Sequence, residues 1–110
     1  KDPMGFKNYK RAPFYKTLLE LRKRNPALSA DASFEKLNLG SRNAIYAFTR
    51  QKDSSKVLVV LNLSAKSQSI KIGNELAGNV YNVFKKKAEV LVAGRKTIPA
   101  WGYEVYEYKD

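Results

Sequence analysis

The 110 residues contain no cysteine and no histidine, and these two absences remove most familiar catalytic designs. Without cysteine there is no disulfide and no thiolate ligand for a metal, which fits any compartment and leaves localisation open. Without histidine, the many serines lack the base that usually activates a nucleophile. The loop from Gly73 to Gly78 lacks the Gly-Lys-Ser/Thr ending of a phosphate-binding loop. Metal binding would fall to scattered carboxylates, so no metal and no cofactor is expected. Long apolar runs are missing too. Nothing approaches the roughly 20 apolar residues of a membrane span, no segment reads as a signal peptide, and no membrane partner is expected. Lys-Asp-Pro is not a natural start, so the chain is expected to be a fragment whose targeting signals, if any, lie upstream.

Acidic residues are scarce: 10 against 21 basic, a net charge of +11. Residues 1–24 hold eight basic and two acidic side chains, so more than half of the excess sits on the first fifth of the chain. Such a balance raises nucleic acid as a partner, but neither a zinc-finger spacing nor an aromatic ribonucleoprotein motif accompanies it. The only runs of three basic residues are Arg22-Lys23-Arg24 and Lys85-Lys86-Lys87. On a helical wheel Lys16, Glu20 and Lys23 share the face opposite Phe14 and Leu18, and Glu20 is spaced to pair with Lys16 or Arg24. The charge is read as a solvated outer face, and nucleic acid as an unlikely partner.

What is present divides into one helix and a series of strands. In FYKTLLELRKRNPAL (14–28), Phe14, Leu18 and Leu21 recur at four and three residues, the rhythm of an amphipathic helix. Pro13 suits the first turn, Asn25-Pro26 ends the helix, and three basic residues in the last turn match its dipole. Strands are expected over 33–39, 44–50, 56–64, 68–72, 80–84, 89–92 and 102–108, with AGRK (93–96) read as a loop. Seven or so short strands with turns between them indicate an antiparallel sandwich or barrel. VLVVL (57–61) is apolar at every position. Alternation then puts Val57, Val59 and Leu61 on one face, Leu58 and Val60 on the other, with both faces buried.

Three stretches carry a family resemblance. FYKTLLELRKRNPAL resembles the last barrel helix of alpha-amylase-family glycoside hydrolases. VLVVLNLS resembles the central strand of that family's C-terminal domain, and TIPAWGYEVYEY its closing strand. The resemblance implies an antiparallel Greek-key β-sandwich preceded by one α-helix. Residues 1–29 would be the last helix of an absent catalytic (β/α)₈ barrel, and residues 30–110 the sandwich domain. The barrel of the same parent chain is then the expected partner, with Phe14, Leu18, Leu21 and Trp101 packed at the interface. An uncovered helix face is expected either to fold back on its own sandwich or to drive self-association.

A retaining glycosidase needs two carboxyl groups about 5 Å apart on a rigid scaffold. Glu104 and Glu107, three apart in an expected strand, point to opposite faces and read as solvent-facing carboxylates. No catalytic residue carries over. Of the aromatic residues, Tyr106 and Tyr108 share a strand face and are the candidates for a weak contact to an α-glucan, although cross-strand packing is the commoner role. Asn62-Leu63-Ser64 matches a glycosylation sequon, but at the end of a buried strand the asparagine is expected to hydrogen-bond backbone instead. The reading is a non-catalytic structural domain of an alpha-amylase-like glycosidase acting on α-glucans. The alternatives are a carbohydrate-binding module and, less favoured, a basic nucleic-acid-binding β-domain, which steep salt dependence would reveal.

Overall fold

The computed structural model describes residues 12–40 and 43–109, with the side chains of the helix described from Lys16 onward. The helix α1 spans Ala12–Arg24, ending where Asn25 takes an extended conformation and caps a 3₁₀ turn over Pro26–Leu28. Eight strands follow: β1 (Ser33–Leu37), β2 (Ile45–Lys52), β3 (Ser55–Asn62), β4 (Gln68–Ile72), β5 (Gly78–Asn82), β6 (Lys87–Leu91), β7 (Gly94–Ile98) and β8 (Tyr103–Tyr108). Six form one sheet in the order β1-β2-β3-β8-β5-β6, and β4 with β7 forms a second. All pairings are antiparallel. The expected β-sandwich with a preceding helix is what the chain adopts.

One strand escapes the sequence reading. AGRK (93–96) reads as a loop, yet Gly94–Ile98 pairs along its whole length with β4. The reason is local. GRKTI exposes most of its side chains and buries only Ile98 completely, so it carries almost no apolar alternation to detect. The turn between β2 and β3 is also tighter than expected. Lys52 pairs with Ser55, leaving Asp53 and Ser54 to reverse the chain, with Asp53 in the left-handed region at φ 55°. Asp tolerates that conformation better than most residues.

The large sheet has two covered faces. Between the sheets, Leu58 and Val60 of β3 meet Ile45, Ala47, Ile70, Ile72, Ile98 and Tyr106 in one core. On the other face Val57, Val59 and Leu61 meet Val105, Val83, Leu21 and Ala27 in a second. The uninterrupted VLVVL run is thereby explained, since a strand buried on both sides has no solvent face to mark with polar residues. The last strand, β8, lies between β3 and β5. The sheet would otherwise divide into a three-stranded and a two-stranded piece.

Asn62 ties the two sheets together at one end. It is wholly buried, and its amide nitrogen donates to the carbonyl oxygens of Lys66, Ile98 and Pro99 at 2.8, 3.0 and 2.9 Å. Its Oδ1 accepts from the backbone nitrogen and hydroxyl of Ser64 at 3.0 and 2.8 Å. Within the sequon the asparagine therefore serves the backbone, as expected. A buried amide also offers no access for a glycan.

Replacing Asn62 by Ala strands the buried Ile98 carbonyl and removes the bonds to those of Lys66 and Pro99. The expected loss is about 3 kcal/mol of folding stability, at about 1 kcal/mol per hydrogen bond, read from the midpoint of urea unfolding. Ser64→Ala, which leaves the amide donors in place, is expected to cost about 1 kcal/mol.

Candidate functional site

The helix-bearing face of the large sheet gathers most of the residues singled out in the sequence. Leu21 is fully buried and Leu18 packs beside it, both on the strip formed by Val57, Val59, Leu61 and Val105. Leu21 was expected at the interface with a barrel. Instead it is covered by the sandwich's own sheet, because Asn25 to Ser29 is too short a connection to let the helix end swing away. Phe14 lies outside the described side chains. Lys16, Glu20 and Lys23 are exposed, as a solvated outer face requires.

A polar clamp holds the helix end in place. Glu107 of β8 is only 5% exposed and accepts from Arg24 Nη1 at 3.0 and 2.8 Å and from Asn25 Nδ2 at 2.7 Å. Asn25 completes its role with Oδ1, which accepts from the Ala27 backbone nitrogen at 2.8 Å. The Arg24 side chain is 54% exposed, so solvent screens the ion pair, and the buried Asn25–Glu107 bond carries more of the attachment. This corrects two expectations. Glu107 is not solvent-facing, and Arg24 turns to it rather than to Glu20. The two glutamates do point to opposite faces. Glu104, partly buried, accepts from Asn82 Nδ2 at 3.1 Å, and the same nitrogen reaches Glu89 at 3.2 Å.

Beside the helix, the β1–β2 flank of this face is aromatic. Phe34 stacks on Phe48 with ring centroids 5.0 Å apart, and Tyr46 lies 5.6 Å from Phe48. Lys36 sits 5.4 Å from the Tyr46 centroid. These rings are partly buried, and Phe34 is 51% exposed. Trp101, in the turn before β8, is exposed over 37% of its surface and has a left-handed backbone at φ 56°. Its backbone nitrogen donates to the Ser64 carbonyl at 3.1 Å, and the Gly102 nitrogen to that of Pro99 at 2.8 Å.

The tyrosines proposed as sugar contacts lie on the opposite face and are not a surface platform. Tyr106 is 1% exposed within the intersheet core. Burial first, then the neighbouring Glu104 and Glu89 carboxylates, raises the pKa of its hydroxyl. Tyr108 is half-buried and donates its hydroxyl to the Leu76 carbonyl at 2.7 Å, while the Lys56 ammonium covers its ring at 4.9 Å. Burial first, then the Glu75 charge, pushes its pKa up to about 12. A period-two strand pattern put both rings on one face but could not tell which sheet would cover it.

Among the described residues no group of three or more His, Cys, Asp or Glu side chains is placed to hold a metal. No helix of the described residues is long and apolar enough to cross a membrane. At the surface, Lys52 donates to Asp31 at 2.8 Å. That bond, then one from Ser29, lowers the Asp31 pKa to about 2.

Two outcomes check this geometry. Leu21→Ala is expected to cost about 3 kcal/mol and Glu107→Ala about 2 kcal/mol, the cost of an orphaned buried amide. Both should speed amide exchange across residues 12–24 more than across β4 and β7. For Tyr108, the raised folded pKa means that its contribution is complete below pH 10 and lost as pH rises toward 12. The stability advantage of the native chain over Tyr108→Phe should therefore shrink between pH 10 and pH 12 in urea titrations.

The comparisons agree with this architecture. No curated protein sequence matches the chain. Among solved structures, the trehalulose synthase MutB from Pseudomonas mesoacidophila MX-45 is similar at 26% identity and a TM-score of 0.68, over 88% of this chain and 17% of that one. An alpha-amylase from Geobacillus thermoleovorans, complexed with acarbose, aligns at 14% identity and a TM-score of 0.71, over 89% of this chain and 22% of that one. An Anoxybacillus alpha-amylase aligns at 20% identity and 0.67, over 86% and 22%. The last two likenesses concern the fold alone. The chain spans about a fifth of the length of these structures. The family described as the alpha-amylase SusG C-terminal domain matches residues 45–102, a stretch that holds VLVVLNLS, the Asn62 network and Trp101. The resemblance to the C-terminal domain of alpha-amylase-family enzymes is thereby borne out, and the chain belongs to the alpha-amylase SusG C-terminal domain family.

Proposed function

We propose that this domain is the non-catalytic structural companion of an alpha-amylase-like barrel in the same parent chain, with α1 as that barrel's last helix and α-glucans as the parent's substrates. The observation that carries the reading is Trp101. A left-handed backbone costs an L-residue about 1–2 kcal/mol, and a bulky ring there is a true outlier. Trp101 accepts that cost while more than a third of it stays exposed. Backbone bonds to Ser64 and Pro99 hold that turn, and burial against a barrel gives the displayed ring its use. Phe34 on the helix-bearing face and Leu19 on the helix, exposed over 51% and 43%, add apolar surface of the same kind. Leu18, partly buried, lies between the sheet and the remaining helix surface. Leu21 contributes indirectly, by fixing the helix to the sandwich.

Carbohydrate processing by the parent draws support from the MutB E254Q mutant, 26% identical, which is described in complex with the substrate sucrose. The domain's own part is to carry the last helix as a rigid unit and to cover apolar barrel surface.

Hydroxyl-radical footprinting tests the interface. Phe34 and Trp101 are expected to label readily in the 110-residue chain and to be protected in the parent enzyme that includes the barrel. Equal labelling in both would sink the assignment. Titrating the labelled chain with millimolar maltoheptaose is expected to leave backbone amide shifts unchanged. Saturable shifts around Trp101 would instead make the domain a sugar-binding module.

A further inference from the structure

Strands β3 and β8 pair from Leu61 with Tyr103 to Val57 with Glu107, and then part. Beyond that point β3 stays with β2 as far as Ser55, while β8 stays with β5 through Tyr108. A sheet that divides between two central strands leaves a notch at its end, and the C-terminal end of α1 walls one side. The notch encloses about 380 Å³, and its lining includes Arg24, Ser54, Ser55, Lys56, Glu107 and Lys109. That volume is at the low end for small-molecule sites.

The charge in this notch is unbalanced. Glu107 is the one acidic residue among its lining and is already engaged by Arg24 and Asn25. Neither Lys56 nor Lys109 has an ion-pair partner among the described residues. Their ammonium groups are instead steadied over aromatic rings, Lys56 at 4.9 Å from the Tyr108 centroid and Lys109 at 5.6 Å from that of Tyr81. Tyr108 and Tyr81 belong to opposite faces of the sheet, so the two lysines flank the split from both sides. The hairpin turn adds the Ser54 and Ser55 hydroxyls, and the half-exposed Arg24 guanidinium retains donors beyond Nη1. Three cations and two hydroxyl donors around one small, polar notch suit a compact, multiply charged oxyanion.

We propose that this notch is a binding site for a phosphate group, with room beside it for a small polar body such as a sugar ring. Lys56 and Lys109 neutralise the dianion, Arg24 and the two serines direct its oxygens, and Glu107 keeps Arg24 at the rim. The site takes Arg24 from the end of α1, but it uses neither Trp101 nor the aromatic flank.

The test is a titration of the isotopically labelled 110-residue chain with inorganic phosphate and, separately, with glucose 6-phosphate, at ionic strength held constant with sodium chloride. Saturable amide shifts confined to residues 24, 25, 54–57 and 107–109 are expected with both, and none with glucose. Tighter binding of the ester than of inorganic phosphate would identify a phosphorylated sugar as the ligand class, and equal binding the phosphate group alone. The Lys56→Gln/Lys109→Gln double variant should weaken binding about tenfold without moving the urea midpoint appreciably. Shifts that follow chloride equally well, that spread over the surface lysines, or that survive the double variant would overturn the site. Binding of single-stranded DNA with no response to either phosphate probe would overturn it too, in favour of a general polyanion surface.

Discussion

A strand that is apolar on both faces must be covered twice, and the rest of this domain is organised around that requirement. Val57, Val59 and Leu61 of β3 face the helix side while Leu58 and Val60 face the second sheet, and all five are essentially removed from water. At about 25 cal/mol per Å² of apolar surface, leaving either side open would forfeit several kcal/mol, a large share of the margin by which a domain of this size is folded. The two-stranded sheet β4–β7 covers one face, and α1 with its following 3₁₀ turn covers the other. Neither cover has much reason to exist alone.

Apolar burial is non-directional and would let those covers slide. Two polar attachments fix them. At one end the Asn62 amide joins β3 to the end of β7 and to the loop at Ser64 and Lys66. Toward the other end, Glu107 joins β8 to Arg24 and Asn25 at the helix terminus. Both use a buried group whose hydrogen-bonding capacity is spent on specific partners, and such groups penalise any alternative register. The same attachment explains why Leu21 turns inward and why the helix and sandwich behave as one body, the property a domain needs if it is to carry a barrel helix.

The surface that remains divides by chemistry. Phe34 and Leu19 on the helix side and Trp101 in the turn before β8 are apolar groups whose exposure costs solubility unless something covers them. At the split end of the sheet are Lys56 and Lys109, without ion-pair partners among the described residues. The +11 charge of the chain is therefore not a uniform coat. Part of it is spent on Glu107 and Asp31, part is solvated on the outer face of α1, and part lines the notch where β3 and β8 separate.

Much of this was legible in the residues themselves. The i, i+3, i+4 spacing of α1, the Pro26 stop and the unbroken VLVVL run are local patterns, and each maps directly onto an element because helix and strand periodicities are properties of the backbone. Even the inward role of Asn62 follows from a polar residue ending a buried strand. What local pattern could not supply was partnership. GRKTI became a strand only because β4 offered it an edge, Tyr106 became core only because the small sheet closed over it, and Glu107 became a buried anchor only because the helix end arrived with Arg24 and Asn25. Burial and pairing are sums over residues far apart in the chain, so the same side chain is a solvent-facing carboxylate or a structural clamp according to what the fold places above it.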